Sequence, residues 1–473
     1  MIRHLLSILA LTLPLSARTN VLFLAVDDLR PELRSFGASY IQSPAMDSIA
    51  ASGRAFQSHY VQAPTCGASR CALLTGRYAR TPARRENSAV FNYAANHDKE
   101  PPSLPELFRK NGYRTVSLGK ISHNPGGLGG PGWNDPKQQE LPNAWDFQKM
   151  PGTPTPWKDP QSAMHAYANG KSREGNAREA HSTPATEHAA GDDKTYTDGW
   201  IAEAAISQLD DLAKRDQPFF LAIGIMKPHL PFACPKSYRD LYTDVKLPPI
   251  PHPEKPEGLS TWHDSKEFMQ YFRDGRDPRT DAAYADEIRR SYAACVTYAD
   301  AQIAKIMARL DELKLTDSTI IVLWGDHGYH LGEHDIWGKH SLFEESLRAP
   351  LVIRTPGMIA AGTASQAVVE TVDIYPTLGA LCQVPLPEKL DGRSLVPLLA
   401  DPKAEGRSAI SYAPGKETLR TDRYRLIRHQ QKNQEPRYEL YDHRDQPGET
   451  QNIADKSQDI VKELSAELDQ RLR

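Results

Sequence analysis

The sequence predicts a doubly wound α/β fold, in which a parallel sheet lies between two layers of helices. Short apolar runs that end abruptly in polar residues alternate with helical stretches along the chain. Four such runs cover residues 21–26, 115–118, 219–225 and 319–324. Continuous apolar runs of this length are typical of strands buried on both faces of a parallel sheet. Strands that alternate with helices favour the doubly wound arrangement.

The predicted helices lie between these runs. Residues 104–110 form a short helical stretch that stops at Gly112, and residues 200–213 carry apolar side chains on one side. The longest predicted helix covers residues 288–313, where apolar residues recur at intervals of three and four. Residues 123–198 and 234–280 are irregular in pattern, and we expect mostly loops there.

The pattern changes after about residue 401. Alternating runs at residues 424–427 and 438–441 predict a small antiparallel sheet, and residues 456–472 predict a closing helix. We therefore expect one large domain over residues 18–400 and a smaller α+β subdomain over residues 401–473.

The first 17 residues have the pattern of a secretory signal peptide. Arg3 and His4 precede an apolar run at residues 5–13, and Ala17 offers a small residue for cleavage. The run is too short to cross a bilayer, and no later segment is apolar enough to do so. The sequence thus predicts a secreted or periplasmic protein.

Overall charge excludes some classes of partner. Charged residues make up 25% and aromatic residues 8% of the chain, which is ordinary globular composition and excludes a disordered protein. The net charge of −3 provides no global attraction to nucleic acid or to an anionic membrane surface. Any site for an anion must therefore be local.

The five cysteines are an odd number, so at least one has no partner within the chain. Cys295 lies on the apolar stripe of a predicted helix, where core packing explains it. Cys66 lies in a polar, glycine-containing segment, where core packing does not explain its presence. The pairing of the other cysteines, Cys71, Cys234 and Cys382 among them, stays open.

Acidic residues follow two of the predicted strands. Asp27 and Asp28 come after the first run, and Asp326 with His327 comes after the last. Ligands of such sheets bind beyond the carboxyl ends of the strands, so we expect these residues to share one cleft. Three carboxylates that converge repel unless a cation neutralises them, and oxygen ligands favour calcium or magnesium. His327 alone would suit zinc or manganese better, and each acidic pair alone could be a helix cap.

Several cationic side chains are candidates for the same cleft. They are Arg70, Lys120, His123, His229 and Lys339. Each one alone is explained as a solvated surface group. Together, around a metal ion, they would form a pocket for a tetrahedral oxyanion. At this point phosphate and sulfate are equally compatible with the set.

Residues 66–76, with the sequence CGASRCALLTG, resemble the signature of the type I sulfatases, in which Cys-x-(Pro or Ala)-x-Arg precedes a Leu-Thr-Gly tail. The resemblance implies an alkaline-phosphatase-like α/β fold and oxidation of Cys66 to formylglycine by a maturation enzyme. It implies a calcium ion bound by Asp27, Asp28, Asp326 and His327 together with the residue derived from Cys66. It also assigns sulfate contacts to Arg70, Lys120, His123, His229 and Lys339.

Several further segments resemble the iduronate-2-sulfatase branch of that family. They are DDLRPEL at 27–33, GKISH at 119–123, KPHLPF at 227–232 and GDHGYHLGEH at 325–334. The resemblance implies a sulfated carbohydrate substrate, specifically a 2-O-sulfated uronic acid, with His229 as general acid. Tyr329, His334 and Trp337 are the residues we expect to contact the sugar.

Two other functions remain compatible with the pattern. A phosphatase or phosphodiesterase of the same superfamily would usually place Ser or Thr at the nucleophile position and bind two transition metals. A non-catalytic binder of sulfated glycans should have lost the cysteine or a metal-binding aspartate. Because Cys66 and the aspartates are retained, the sequence favours a sulfatase.

Overall fold

The central sheet of the protein has eight strands and is mixed rather than wholly parallel. The computed structural model describes residues 18–126, 133–135, 137, 139–151, 157, 159–168, 172–173, 183–430, 433–444 and 448–473. The predicted signal peptide, residues 1–17, lies outside the described residues.

The strands of the described chain, in order, are β1 (Asn20–Val26), β2 (Arg54–Tyr60), β3 (Arg114–Gly119), β4 (Phe147–Lys149), β5 (Thr186–Glu187), β6 (Phe219–Ile225), β7 (Phe232–Ala233), β8 (Thr319–Gly325), β9 (His330–Leu331), β10 (Trp337–Gly338), β11 (Leu351–Arg354), β12 (Ser365–Glu370), β13 (Ala409–Ala413), β14 (Lys416–Arg420), β15 (Tyr424–His429) and β16 (Arg437–Asp442). The four predicted runs correspond to β1, β3, β6 and β8.

The strand order of the central sheet is β12-β2-β11-β8-β1-β6-β3-β4. The four strands predicted from apolar runs lie side by side and are parallel, as expected. β11 is the exception, because it runs antiparallel to both β8 and β2. The doubly wound fold is thus confirmed, with one reversed strand in the sheet.

The α-helices of the described chain are α1 (Pro44–Ser52), α2 (Cys66–Thr75), α3 (Ala89–Ala95), α4 (Leu104–Lys110), α5 (Pro160–Met164), α6 (Thr197–Leu212), α7 (Lys236–Asp240), α8 (Lys266–Met269), α9 (Ala282–Glu312), α10 (Glu344–Leu347), α11 (Ile374–Leu381), α12 (Val396–Ala400) and α13 (Gln458–Leu472). α4 has the predicted bounds, and Ser103 and Glu106 form a capping box at its start. α9 begins six residues before the predicted start because Asp281 caps it.

Helices cover both faces of the sheet, which explains why strands such as β1 are apolar along almost their whole length. In β1, Leu22 and Leu24 belong to the core cluster that includes α6 and α9. Val21 and Phe23 belong to the cluster on the other face, with α4 and α11. Every residue from Val21 to Val26 is therefore buried.

A second sheet, with the order β13-β14-β15-β16, is antiparallel throughout and packs with α13. β15 and β16 contain the two predicted runs, whereas β13 and β14 were not predicted. This small C-terminal unit agrees with the expected fold class. The boundary at residue 401 stays a prediction.

All five cysteines are buried as free thiols in this structure. Among the described residues, none of the helices combines the length and the apolar character that a membrane crossing requires.

Candidate active site

The candidate site lies at the carboxyl end of the central sheet. β8, β1, β6 and β3 are neighbours and run parallel, so their ends meet at one edge. The residues that follow these strands are Asp326 and His327 after β8, Asp27 and Asp28 after β1, His229 after β6, and Lys120 after β3. The structure therefore brings together side chains that are far apart in the sequence.

Asp27 is fully buried and is held by two cations. Its Oδ1 accepts a hydrogen bond from Nη2 of Arg70 at 3.1 Å, and its Oδ2 accepts one from Nζ of Lys120 at 2.5 Å. Burial acts to raise the pKa of Asp27, but the charges of Lys120, His229 and Arg70 hold it well below its usual value. Asp27 is therefore an ionised carboxylate that is available to a cation.

Arg70 lies on α2 and ties two carboxylates together. It donates through Nε to Asp326 at 2.9 Å and through Nη2 to Asp27, while Nη1 donates to the carbonyl oxygens of Lys120 and Ile121. These bonds engage all three nitrogens of the buried guanidinium. In this structure Arg70 thus positions the aspartates.

Asp28 contacts Lys339, His327 and Cys66. Both of its oxygens accept hydrogen bonds from Nζ of Lys339 at 2.9 Å. Its Oδ1 lies 3.3 Å from Nε2 of His327 and 3.9 Å from Sγ of Cys66. The ammonium of Lys339 also lies 3.5 Å from that sulfur. Asp28 and Lys339 therefore contact each other and both lie next to Sγ of Cys66.

Six buried charges balance one another in this cluster. They are the carboxylates of Asp27, Asp28 and Asp326, and the cations of Arg70, Lys120 and Lys339. A divalent cation added to this neutral set would make it positive. The cluster would then attract an anionic ester.

The donor atoms fit a divalent cation. Nδ1 of His327 lies 2.9 Å from the carbonyl oxygen of Gly328, which only accepts, so Nδ1 carries a proton and Nε2 is the ring nitrogen directed at the carboxylates. Nε2 lies 3.3 Å from Oδ1 of Asp28 and 3.8 Å from Oδ1 of Asp326. Carboxylates that converge in this way repel unless a cation neutralises them. Carboxylates dominate the donor set, which favours calcium or magnesium.

Cys66 is the first residue of α2 and is only 3% exposed. Its Sγ lies 3.2 Å from Nε2 of His327. Burial raises the pKa of the thiol well above its usual value, although Lys120 and Lys339 act in the opposite direction. A thiol that stays protonated is a weak nucleophile. Cys66 is thus well placed for chemistry but unsuited to it in its unmodified form.

Gly67 permits the close packing that fixes Cys66. Its backbone N–H donates to Oδ1 of Asn87 at 3.1 Å. A Cβ at this position would lie 2.4 Å from the Cα of Asn87, closer than real contacts allow. A larger residue at the second position of the signature would therefore displace the start of α2.

A cavity of about 120 Å³ lies beside Cys66. A water molecule takes about 30 Å³ in the liquid, so the cavity has room for a sulfate group. Cys66, His123, His229 and Lys339 line it, as expected for residues that contact a sulfate ester. Arg70 and Lys120 lie behind this lining, bonded to Asp27.

The two cavity histidines, His123 and His229, are held differently. His229 donates through Nδ1 to the carbonyl oxygen of Leu230 at 2.6 Å, so its Nε2 is left facing Oε1 of Glu267 at 3.9 Å. Nδ1 of His123 is buried and has no hydrogen-bond partner among the described residues. Burial and nearby lysines lower the pKa of both rings well below the usual value.

Comparison with known proteins agrees with this geometry. The model of the family described as "Sulfatase" matches residues 19–384, which is most of the chain. The chain belongs to the sulfatase family. A second model, described as "N-sulphoglucosamine sulphohydrolase, C-terminal", matches residues 332–473. The protein is therefore an enzyme of the sulfuric ester hydrolase class.

Curated relatives place this sulfatase near one branch. It is 31% identical to the iduronate 2-sulfatases of Mus musculus and Homo sapiens, over 78% of this chain and 70% of each relative. It is 30% identical to a sulfatase of Formosa agariphila, over 92% of this chain and 83% of that one. The predicted resemblance to the iduronate-2-sulfatase branch is confirmed.

Solved structures confirm the fold of this sulfatase. A protein in complex with its substrate D-glucosamine-2-N,6-O-disulfate superposes with a TM-score of 0.69 at 22% identity, covering 96% of this chain and 98% of that one. The phosphonate monoester hydrolase of Agrobacterium radiobacter gives 0.73 at 20% identity, over 96% and 95%. At these identities the likeness concerns the fold alone.

Six further polar residues of the sulfatase line the cavity and were not singled out from the sequence. They are Asn87, Gln161, His165, Arg173, Glu267 and His340. Most lie in the two segments that we expected to be loops, where no periodicity marks a side chain as inward-facing. The only signal available was the abundance of polar side chains in segments too long for simple connections.

The three residues predicted to contact sugar do not line this cavity. Tyr329 is fully buried and packs edge-on against Phe232. His334 stacks on Phe343 with ring centroids 4.3 Å apart and lies 2.7 Å from the carbonyl oxygen of Gly448 through Nε2. Trp337 packs on Phe268 and borders a separate cavity. This placement does not favour sugar contacts for any of the three, because their rings are packed in the interior.

Proposed function

We propose that this sulfatase hydrolyses the 2-O-sulfate of a terminal uronic acid in a glycosaminoglycan or algal polysaccharide, and that formylglycine derived from Cys66 is its nucleophile. The observation that carries the proposal is the position of Cys66. Its Sγ lies within 4 Å of Asp28, His327 and Lys339, at the edge of a sulfate-sized cavity. No other described cysteine lines that cavity.

A hard divalent cation, which we take to be calcium, would be held by Asp27, Asp28, Asp326 and His327. Such an ion polarises a sulfate oxygen and activates an oxygen nucleophile near neutral pH. The protein's own cations would complete the site. Lys339 lines the cavity and would bind a sulfate oxygen. Arg70 and Lys120 would act chiefly by holding Asp27 and Asp326 in place, with direct sulfate contact requiring that they leave Asp27.

Oxidation of Cys66 to formylglycine would explain why a thiol that is unreactive as such occupies this position. The hydrate of an aldehyde places two hydroxyl groups on one carbon, of which one attacks sulfur and the other later expels sulfate. His123, whose Nδ1 has no partner among the described residues, would orient that hydrate. Formation of the aldehyde requires a maturation enzyme in the host.

His229 would protonate the leaving sugar oxygen. Alkoxides of sugars are poor leaving groups, so their departure needs a general acid. The bond from Nδ1 to Leu230 fixes the ring with Nε2 toward the cavity. His229 is thus the lining residue best oriented for proton transfer. Because burial and Lys339 hold the pKa of the free ring low, Nε2 would have to gain its proton when the anionic ester binds beside it.

A cationic residue in the cavity lining supports an acidic sugar as the substrate. Arg173 lines the cavity and lies over the ring of Tyr271 at 5.2 Å. A guanidinium in this position suits the carboxylate of a uronic acid. The relatives named iduronate 2-sulfatase support the same substrate class.

A panel of sulfated disaccharides tests the proposal. Enzyme with verified conversion of Cys66 would be given matched disaccharides sulfated on the terminal uronate or on the hexosamine, with released sulfate quantified. We expect turnover of the uronate 2-O-sulfate. Preference for the hexosamine sulfate would overturn the substrate while leaving the sulfatase activity intact, and a phosphate ester control would detect phosphatase activity.

A further inference from the structure

Glu267 is the only acidic residue among the described residues that line the cavity beside Cys66. It lies on α8 in the segment that we expected to be a loop. A carboxylate is unexpected in a pocket for an anionic ester, because like charges repel. The carboxylate of Glu267 therefore needs a function that outweighs its repulsion of the anionic ester.

The two oxygens of Glu267 have different surroundings. Oε1 lies 3.5 Å from Nζ of Lys339 and 3.9 Å from Nε2 of His229. Oε2 is buried and has no hydrogen-bond partner within the described chain, and Nε2 of His340 lies 3.7 Å from it. One oxygen thus faces Lys339 and His229, and the other still lacks a donor within hydrogen-bond distance.

The backbone of α8 is held rigidly at this point. Phe268, the next residue, is fully buried and packs on Trp337 with ring centroids 5.9 Å apart. Oγ of Ser265 accepts a hydrogen bond from the backbone N–H of Trp337 at 2.8 Å. Lys339 lies two residues after Trp337 in the chain. Glu267 and Lys339 are therefore fixed relative to each other.

Glu267 also sets the charge of the site. Burial acts to raise the pKa of Glu267, but Lys339, His340 and His229 hold it well below the usual value, so the carboxylate is ionised. With Glu267, four carboxylates face the cations of Arg70, Lys120 and Lys339. A bound divalent ion would leave one positive charge, which matches one sulfate ester. Without the charge of Glu267, the site with its bound ion would carry two net positive charges.

An ionised carboxylate only accepts hydrogen bonds. A sugar hydroxyl can donate to it, whereas a sulfate ester can only accept and adds a negative charge. We propose that Glu267 selects sugars in which the hydroxyl next to the sulfate ester is free, by accepting a hydrogen bond from that hydroxyl and by repelling a second sulfate there. The inference rests on the proposed carbohydrate substrate and adds a rule for its sulfation pattern.

The test compares methyl 2-O-sulfo-α-L-iduronoside with its 2,3-di-O-sulfated form. In the wild-type enzyme we expect kcat/KM for 2-O-desulfation to be at least about thirtyfold lower for the disulfated glycoside, as for other sites whose polar groups are left unpaired by the wrong substrate. In Glu267→Gln the amide can donate to a sulfate oxygen, so the ratio should fall to within about threefold. Calorimetry on a Cys66→Ser background would show the same change in the ratio of Kd values without turnover.

Two controls separate selectivity from stability. Lys266→Gln changes an exposed residue of the same helix and should leave the ratio as in wild type. 4-Nitrophenyl sulfate offers no neighbouring hydroxyl, so the change in its kcat/KM in Glu267→Gln measures the effect of the lost charge on the site itself, and the two iduronoside values are compared with it. An equal fold-change on this ester and on both iduronosides would show that Glu267 only supports the site and does not select the substrate.

Three results would overturn the inference. The first is equal turnover of the two iduronosides by wild type, and the second is full discrimination that persists in Glu267→Gln. If the enzyme turns over hexosamine sulfates instead, the proposed uronate substrate is wrong. The inference is then decided by the same comparison between a monosulfated hexosamine and the same sugar with a second sulfate on the adjacent hydroxyl. The third is absence of turnover of any sulfate ester by fully matured wild type, which would overturn the proposed function as well.

Discussion

Lys339 donates to both carboxylate oxygens of Asp28, each at 2.9 Å from its Nζ. Oδ1 of the same carboxylate lies 3.3 Å from Nε2 of His327. If a metal ion binds as proposed, Asp28 would hold the ion and the ammonium of Lys339 together. The bonds to Asp28 would then keep Lys339 charged and close to the sulfate position.

Conversion of Cys66 to formylglycine is the first prediction. Protein made in a host with a maturation enzyme should yield a peptide in which the thiol of Cys66 is replaced by an aldehyde, detected by mass spectrometry. Cys71, which is also buried but does not line the cavity, should remain a thiol in the same peptide map. Fully active enzyme with unmodified Cys66 would contradict the prediction.

The second prediction concerns the metal ion. Asp326→Ala removes one carboxylate ligand and one partner of Arg70, so turnover should fall by at least about a hundredfold even with Cys66 fully converted. Bound metal, measured by elemental analysis, should fall with it. Asp317→Ala, which alters a fully exposed acid before β8, serves as the control and should change neither quantity. Full activity after exhaustive chelation would show that the metal assignment is wrong.

The third prediction concerns proton transfer by His229. His229→Ala should slow a sugar sulfate by about 10² to 10⁴ and an activated aryl sulfate much less, because the aryl oxide leaves without help. His340→Ala removes another imidazole of the cavity wall and should affect both substrates alike. Equal losses in His229→Ala would assign this residue to binding only.

The fourth prediction concerns pH and stability. Burial raises the pKa of Glu140 to about 8, although hydrogen bonds from Ser122 and from the backbone of Asn124 act against it. The unfolded chain should titrate near pH 4.5, so this group stabilises the fold below that pH. Its contribution is lost progressively as the pH rises through 8, by at most ~1.4 kcal/mol per pH unit.

Glu140→Gln cannot ionise and should therefore lose less stability than wild type between pH 5 and pH 8, about the two ends of that window. The free energy of unfolding from denaturant titrations provides the measurement. Glu388→Gln, at an exposed position, is the matched control and should follow the wild-type curve. Identical pH dependence in wild type and Glu140→Gln would exclude Glu140 as the titrating group.

The parts of the fold that could be predicted are those in which burial leaves a continuous pattern. β1, β3, β6 and β8 are neighbours within the sheet, so their side chains are mostly apolar and the polar residues that follow them are conspicuous. β2 lies nearer the edge and carries Arg54 and His59, whose polar atoms are satisfied by carbonyl groups and by Thr371. Nothing in the pattern of β2 marks these residues as buried, because their partners come from distant segments.

The same reason explains which site residues were missed. Asp27 and Asp326 could be predicted because strand ends fix their location. Glu267 depends on the packing of Phe268 against Trp337, a contact between segments about 70 residues apart that no local pattern encodes. The sugar contacts expected of Tyr329, His334 and Trp337 rested on residue type and on the resemblance of their segment to the iduronate-2-sulfatase branch. They stay predictions that the packing of all three rings does not favour.

The central position of β1 also links metal binding to folding. The backbone N–H of Asp28 donates to Oδ1 of Asp326 across 298 residues of sequence, so neither half of the chain contains the donor set. Contacts of such long range form only after most of the chain has been ordered. An ion that binds the complete site therefore stabilises the folded state against all partly folded ones, in proportion to the logarithm of its concentration. A fragment that ends before β8 would bind the ion weakly, and metal affinity would report on completion of the fold.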